Sequence, residues 1–109
     1  MQSSTWRYHN EPGRRASVLS AMNKLRRERL TTLMRRRGCR CKKCGYNRCT
    51  AALEFHHRNP KRKLFNVNMS TMTKGWKRIL AEVKKCDLLC ANCHRETHVA
   101  IRHGELAEW

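Results

Sequence analysis

The sequence predicts a small α+β fold in which a few helices and short strands are completed by a four-cysteine zinc site. Two C-x-x-C clips predict the zinc site, Cys41 to Cys44 and Cys90 to Cys93. Stretches with apolar residues three and four positions apart predict helices, and two short apolar runs predict strands. The chain has 109 residues, of which 39% are hydrophobic. That length corresponds to one domain with a modest core.

The N-terminal third of the sequence predicts one long basic helix after a flexible start. Residues 1–13 are polar, contain Pro12-Gly13, and are predicted to be a flexible N-terminal segment. Residues 14–37 contain neither Pro nor Gly. We expect them to form a helix that packs on the domain and ends at Gly38. The apolar side chains of this helix fall on one broad arc: Leu19, Met22, Leu25, Leu30, Leu33 and Met34.

Residues 38–109 are expected to form the main domain. Within them, residues 52–56 and 87–89 are predicted strands, residues 61–68 a loop, and residues from about 92 to 102 a helix that follows the second clip. Another helix, capped by Ser70 or Thr73, is expected before the second strand. Its core residues recur at helical spacing: Trp76, Ile79, Leu80 and Val83.

The charge balance points to a polyanionic partner. The chain has 25 basic and 8 acidic residues, a net charge of +17 and a pI near 10.6. DNA or RNA is the commonest such partner, and an acidic membrane surface is the weaker alternative. Between Arg14 and Arg48, thirteen Lys or Arg face a single acid, Glu28. We interpret this run as a surface that follows nucleic-acid phosphates rather than as an ordinary solvated face.

The cysteines favour metal binding over disulfides. Their number, seven, is odd, and no secretory leader or membrane-spanning stretch is visible, so we expect a reducing cytoplasm. Four thiolates suit a closed structural zinc site. Cys39 could replace Cys41 as a ligand, but Cys41 is preferred because its two-residue gap to Cys44, followed by Gly45, allows a tight turn.

The histidines predict a second, working metal site. His94 and His98 are four residues apart in the predicted last helix, so one ion can bind both. The pair His56-His57 ends the first predicted strand, and its two side chains should point in opposite directions. One of the pair can supply a third ligand, while the other is free to act as a general base near neutral pH.

The segments Leu53-Glu54-Phe55-His56-His57 and Leu88-Leu89-Cys90-Ala91-Asn92-Cys93-His94-Arg95-Glu96-Thr97-His98 resemble an HNH endonuclease. The resemblance covers about residues 38–103. Within the family it is most specific to the zinc-containing HNH proteins with two C-x-x-C clips, many of them phage or prophage encoded. It implies a ββα-metal core and makes residues 38–109 an HNH nuclease domain. The histidine pattern is also similar to that of colicin-type nuclease toxins.

The resemblance implies a role for each histidine. His56, His94 and His98 would bind the catalytic divalent ion (Mg²⁺, Mn²⁺ or another), and His57 would be the general base. The sequence departs from the family at its middle asparagine, because Lys85 stands at that place. Asn92 lies in the turn of the second clip, and Asn59 or a backbone carbonyl could orient His57 through its Nδ1 proton.

The implied activity is hydrolysis of DNA phosphodiester bonds, by nicking or cleavage with little sequence preference. Double-stranded DNA would be bound mainly through its phosphates, with Arg95 as a possible phosphate contact. We expect a monomer or weak dimer without a membrane partner, in a bacterial host cell, and phage packaging proteins are possible partners. The alternative function is a non-catalytic, zinc-stabilised nucleic-acid-binding module.

Overall fold

A computed structural model describes residues 3–103 of the chain. In this range it contains four α-helices and a two-stranded antiparallel sheet, which confirms a small α+β fold. The elements in chain order are α1 Ser4–Asn10, α2 Arg14–Arg36, β1 Leu53–His57, α3 Trp76–Val83, β2 Cys86–Cys90 and α4 Ala91–His103. Three short 3₁₀ turns lie between them, at Thr50–Ala52, Pro60–Arg62 and Met69–Thr71.

The N-terminal segment contains a helix where only a flexible start was predicted. The Ser3 hydroxyl accepts a hydrogen bond from the Trp6 N–H at 3.2 Å and so caps α1. Gly13 adopts φ +74°, and this left-handed conformation lets the chain turn from α1 into α2. The two helices pack against each other. The polar composition of residues 1–13 gives no apolar periodicity from which α1 could be predicted, and the Ser3 cap is its local signal.

Helix α2 matches the predicted basic helix in extent but not in how it packs. Leu33 and Met34 near its end are buried, whereas Leu19 and Leu25 are each 41% exposed. The apolar arc of α2 is therefore buried only near the end of the helix, whereas Leu19 and Leu25 on the same arc are exposed. Gly38, at φ +82°, follows the last turn as predicted. Within residues 3–103, no helix combines the length and the apolarity needed to cross a membrane.

Strands β1 and β2 form the centre of the domain. Leu53 pairs with Cys90, and His57 pairs with Cys86 at the other end of the ladder. Both strands were predicted; β1 is shifted by one residue from the predicted 52–56, and β2 extends one residue beyond the predicted 87–89 at each end. Side chains of successive strand residues point to opposite faces of the sheet. As a result, His56 meets α4 on one face and His57 meets α3 on the other.

Helix α3 begins later than predicted. Gly75 is its N-cap residue, not Ser70 or Thr73. The Asn68 side chain accepts from the Ser70 N–H and forms a capping box with Thr71, so the chain completes a separate 3₁₀ turn first. Ile79 and Val83 are buried in the core as the helical spacing predicted.

Candidate metal centres

The clip cysteines meet where the end of β2 and the start of α4 face the turn that follows α2. The Cys44 and Cys90 sulfur atoms are 3.7 Å apart. Four sulfurs at zinc's bond length of about 2.3 Å would define a tetrahedron with edges of about 3.8 Å. The four sulfur atoms all lie within 4.8 Å of one another and form a plausible metal-binding site, consistent with zinc: Cys41, Cys44, Cys90 and Cys93.

Each clip is a tight turn in which a backbone N–H points at the first sulfur. The Cys44 N–H donates to Cys41 Sγ at 3.5 Å, and the Cys93 N–H donates to Cys90 Sγ at 3.4 Å. Gly45 adopts φ +78°, which permits the turn after the first clip. Cys41 belongs to the cluster and Cys39 does not, so the preference for Cys41 is confirmed.

The thiols of the cluster differ in acidity. Burial raises the pKa of Cys41, but hydrogen bonds from the backbone at Cys44, Cys90 and Lys43 outweigh it and lower that pKa to about 6. Burial and the neighbouring thiols raise the pKa of Cys93. The Cys41 thiolate therefore forms readily, whereas burial and the neighbouring sulfur atoms oppose ionisation of Cys93. A bound dication would relieve this resistance, because zinc takes thiolates as ligands.

Three of the four predicted site histidines come together. The His56 ring centroid is 5.2 Å from that of His94 and 5.4 Å from that of His98. The Nε2 atoms of His94 and His98 are 3.0 Å apart. Two nitrogens bound at right angles to one ion at about 2.1 Å would be separated by about 3.0 Å. Each of the three rings offers a nitrogen within 4.8 Å of the others. This set is called the histidine triad below.

Two members of the histidine triad, His56 and His94, have lowered pKa values, which favours the neutral imidazole that binds metal. Burial lowers the pKa of His56, and nearby His94 and His98 lower it further. Burial also lowers the pKa of His94, against the opposing charge of Glu54, whose Oε2 is 3.7 Å from His94 Nδ1. Among the described residues, His56 Nδ1 is buried without a hydrogen-bond partner. A buried polar atom of this kind is costly, so a ligand that satisfies it is favoured.

His57, the predicted general base, lies apart from the triad. Its side chain is 7% exposed, and its Nε2 is 2.8 Å from Oε2 of Glu82 on α3. The Glu82 side chain is 1% exposed. The structure thus brings together the three predicted ligands but places the predicted base on the other face of β1, in contact with a buried carboxylate.

Glu82 is a buried partner of His57 that the sequence analysis did not predict. The Lys85 ammonium donates to its Oε1 at 2.9 Å, and the Leu64 N–H donates to its Oε2 at 3.0 Å. Burial raises the pKa of Glu82, but the hydrogen bonds from Lys85, Leu64 and His57 outweigh it and lower the pKa to about 2. A signal was available, because Glu82 lies three residues after buried Ile79 and a charged residue beside an apolar stripe requires a partner.

Among the described residues, none of Lys85, Asn59 and Asn92 forms a hydrogen bond with the His57 side chain. Lys85, at the place of the family's asparagine, also donates to the Arg62 carbonyl at 3.0 Å. The Asn59 side chain accepts from the Lys61 N–H at 3.1 Å and caps a 3₁₀ turn. Asn92 lies in the first turn of α4 and is exposed. In the part of the chain that the structure describes, Glu82 is the side chain that holds His57.

A cavity of about 400 Å³ opens beside the histidine triad. His56 lines it together with Thr97 of α4 and three basic residues, Lys42, Lys43 and Arg58. Arg95 lies on α4 directly after His94 and is exposed, but it is not among the residues that line this cavity. The predicted phosphate contact of Arg95 stays a prediction.

The arrangement combines two kinds of binding chemistry. The three imidazoles of the histidine triad could bind a divalent ion. The cavity beside them is lined by basic residues and could bind an anion. A divalent ion and an anionic oxygen held side by side are the ingredients of Lewis-acid hydrolysis. No protein-family model, no curated protein and no solved structure matches the chain.

Proposed function

We propose that the protein is a divalent-metal-dependent endonuclease of the HNH type that hydrolyses DNA phosphodiester bonds. The histidine triad carries this proposal, because imidazoles from a strand end and a helix lie close enough to share one ion. The net charge of +17 supports a nucleic-acid substrate. A zinc-stabilised binding module would explain the charge and the cysteines but would give the histidine triad no role.

Two sets of residues in the chain would bind two different ions. His56, His94 and His98 would bind the catalytic ion, whether Mg²⁺, Mn²⁺ or another. When bound, that ion would supply a Lewis acid that stabilises charge on the scissile phosphate. The cysteines would hold structural zinc. Because Cys93 directly precedes His94, that zinc would limit the movement of α4 relative to β2.

We assign the general base to His57 from the family resemblance. If the Glu82 carboxylate accepts the Nε2 proton, Nδ1 is left with the lone pair, and Nδ1 would take the proton from the attacking water. Glu82 would then be a positioning residue that sets the tautomer. Glu54 competes for the role of base, because its carboxylate lies on the same side of β1 as the triad.

DNA would be bound mainly through its phosphates. Exposed basic residues occur along α2, Arg27, Arg35 and Arg36 among them. Contacts of this kind carry little sequence information and weaken steeply with salt. The described chain has one histidine triad, so one active site would cut one strand, and a monomer would nick.

The proposal is tested with supercoiled plasmid in the presence of Mg²⁺ or Mn²⁺. We expect the native chain to produce nicked plasmid and EDTA to stop the reaction. His98→Ala removes one ligand and should reduce nicking by at least about 10²-fold, the scale on which a positioned catalytic group acts. His9→Ala is the matched control, since His9 is exposed on α1 and outside both clusters, and it should nick normally.

Two further variants separate the candidate bases. His57→Asn should slow nicking by about 10²–10⁴-fold, the usual effect of losing a positioned base, whereas Glu54→Gln should change it by only a few-fold. The opposite ranking would move the base to Glu54. Zinc content and helical circular dichroism verify that each variant folds. A native chain that binds the plasmid but leaves it intact with every divalent ion would indicate the non-catalytic module instead.

A further inference from the structure

The cavity beside the histidine triad has three basic residues in its wall, and they differ in whether a carboxylate neutralises their charge. Asp87, also in the wall, is the acidic residue among them. Its Oδ1 lies 3.0 Å from Arg58 Nη1 and 3.2 Å from Lys42 Nζ. Arg58 donates in addition to the Cys86 carbonyl at 3.0 Å. Both Arg58 and Lys42 therefore share a carboxylate, and their charges are partly neutralised.

Lys43 differs from its neighbour Lys42. Its ammonium donates to the Thr97 hydroxyl at 2.7 Å, and that hydroxyl donates in turn to the Cys93 carbonyl at 2.7 Å. Among the described residues, no salt bridge joins Lys43 to a carboxylate. A neutral hydroxyl positions the ammonium without cancelling its charge, so Lys43 keeps a full positive charge at the cavity wall.

Both ends of the Lys43–Thr97 contact belong to elements that carry metal ligands. Lys43 lies between Cys41 and Cys44 in the first clip, and Thr97 directly precedes His98 on α4. An ion in the cysteine cluster would immobilise the clip, and an ion in the histidine triad would immobilise α4. The ammonium would then keep a constant distance from the triad, which is the property expected of a substrate subsite rather than of a free surface lysine.

We propose that Lys43 forms a phosphate subsite that binds a non-bridging oxygen of the DNA backbone next to the histidine triad. This inference rests on the proposed nuclease function, since it deepens the description of the same site. The phosphodiester is the ligand class, because an ammonium with an unneutralised charge favours an anionic oxygen and makes no contact specific for a base. The first clip thus has two roles, metal binding through its cysteines and substrate binding through its second lysine.

Binding measurements across a salt series test the subsite without requiring cleavage. The probe is a fluorescein-labelled 20-base-pair duplex, and its anisotropy is followed with the native chain, Lys43→Gln and Lys42→Gln, without added Mg²⁺ or Mn²⁺. Loss of one phosphate contact should lower the slope of log K against log salt by about 0.9. We expect this change, with binding weakened about five-fold or more at low salt, for Lys43→Gln. Lys42→Gln, in the same turn and of the same charge, should lower the slope by clearly less, because Asp87 already neutralises part of the Lys42 charge.

A conservative variant and a nicking assay complete the test. Lys43→Arg should restore the salt slope, which a purely structural lysine would not explain, and zinc content should be equal in all variants. Equal slopes for Lys43→Gln and the native chain, or equal losses in Lys43→Gln and Lys42→Gln, would overturn the proposal. If the native chain fails to nick plasmid while Lys43→Gln lowers the slope more than Lys42→Gln does, the nuclease function would be contradicted and the phosphate subsite would be supported.

Discussion

His56 and His57 are neighbours in the chain, yet the sheet gives them different surroundings. His56 meets His94 and His98 of α4, whereas His57 meets Glu82 of α3. The strand pattern predicts that the two rings point apart, but it does not reveal what each ring meets. Glu82 is 25 residues further along the chain, and its contact with His57 depends on the packing of α3 against β2.

The Glu82 contacts lead to a prediction about acid stability. The pKa of Glu82 is about 2, below its ordinary value of 4.5, so the ionised carboxylate stabilises the folded state. This stabilisation is complete above about pH 4.5, where the carboxyl is ionised in the unfolded chain as well. It is lost as the pH falls from about 4.5 toward 2. Glu82→Gln lacks the ionised group and should lack this component.

The measurement is the free energy of unfolding in urea at a series of pH values between 3 and 7, for the native chain, Glu82→Gln and Glu96→Gln. Glu96 is an exposed glutamate on α4 and serves as the control. We expect the native chain and Glu96→Gln to lose stability below pH 4.5 more steeply than Glu82→Gln. Protonation of metal ligands affects all three proteins alike, so the difference between curves isolates Glu82. Parallel curves would contradict the prediction.

At the scale of elements, the cysteine cluster joins two parts of the chain that are distant in sequence, the turn after α2 and the junction of β2 with α4. Arg37 adds a second link, because its guanidinium donates to the Val83 carbonyl at 2.6 Å and to the Cys86 carbonyl at 2.7 Å. The end of α2 is therefore followed by the cysteine cluster on one side and held by the end of α3 on the other.

Removal of one zinc ligand should unfold these elements together. Structural zinc supplies about 10–16 kcal/mol in zinc-finger peptides, as much as the whole stability of a typical domain, about 5–15 kcal/mol. We expect Cys93→Ser to lose zinc and most of its helical circular dichroism. Cys49→Ser is the matched control, since Cys49 is exposed and outside the cluster, and it should keep both. A zinc-free Cys93→Ser protein with native helical signal would show that the metal is dispensable for the fold.

For the molecule as a whole, ligand sets with the spacing of metal-binding motifs were predictable, whereas contacts that depend on the packing of whole elements were not. The two clips and the pair His94 and His98 are local patterns, and the structure brings each set together. The exposure of Leu19 and the late start of α3 depend on what packs nearby. Apolar periodicity alone could not distinguish a helix buried along its length from one held mainly by its last turns.

The two ligand sets predict that each chain binds two ions that differ in how easily they are removed. Four thiolates, two of them on buried Cys41 and Cys90, should hold zinc tightly, whereas three imidazoles in a site that includes exposed His98 should release their ion more readily. Elemental analysis of the purified, zinc-loaded protein should give two ions per chain. Brief treatment with a weak chelator should leave one ion and a native circular dichroism spectrum.

Variants assign each ion to its cluster. His98→Ala should contain one ion that resists the weak chelator, because only the cysteine cluster is intact. His9→Ala should behave as the native chain does, since His9 lies outside both clusters. The helical signal should persist when the first ion is removed and should collapse only when a strong chelator takes the second, because the cysteines and not the histidines hold the elements together. Two ions retained by His98→Ala, or a single ion in the native chain, would contradict a binding role for the histidine triad.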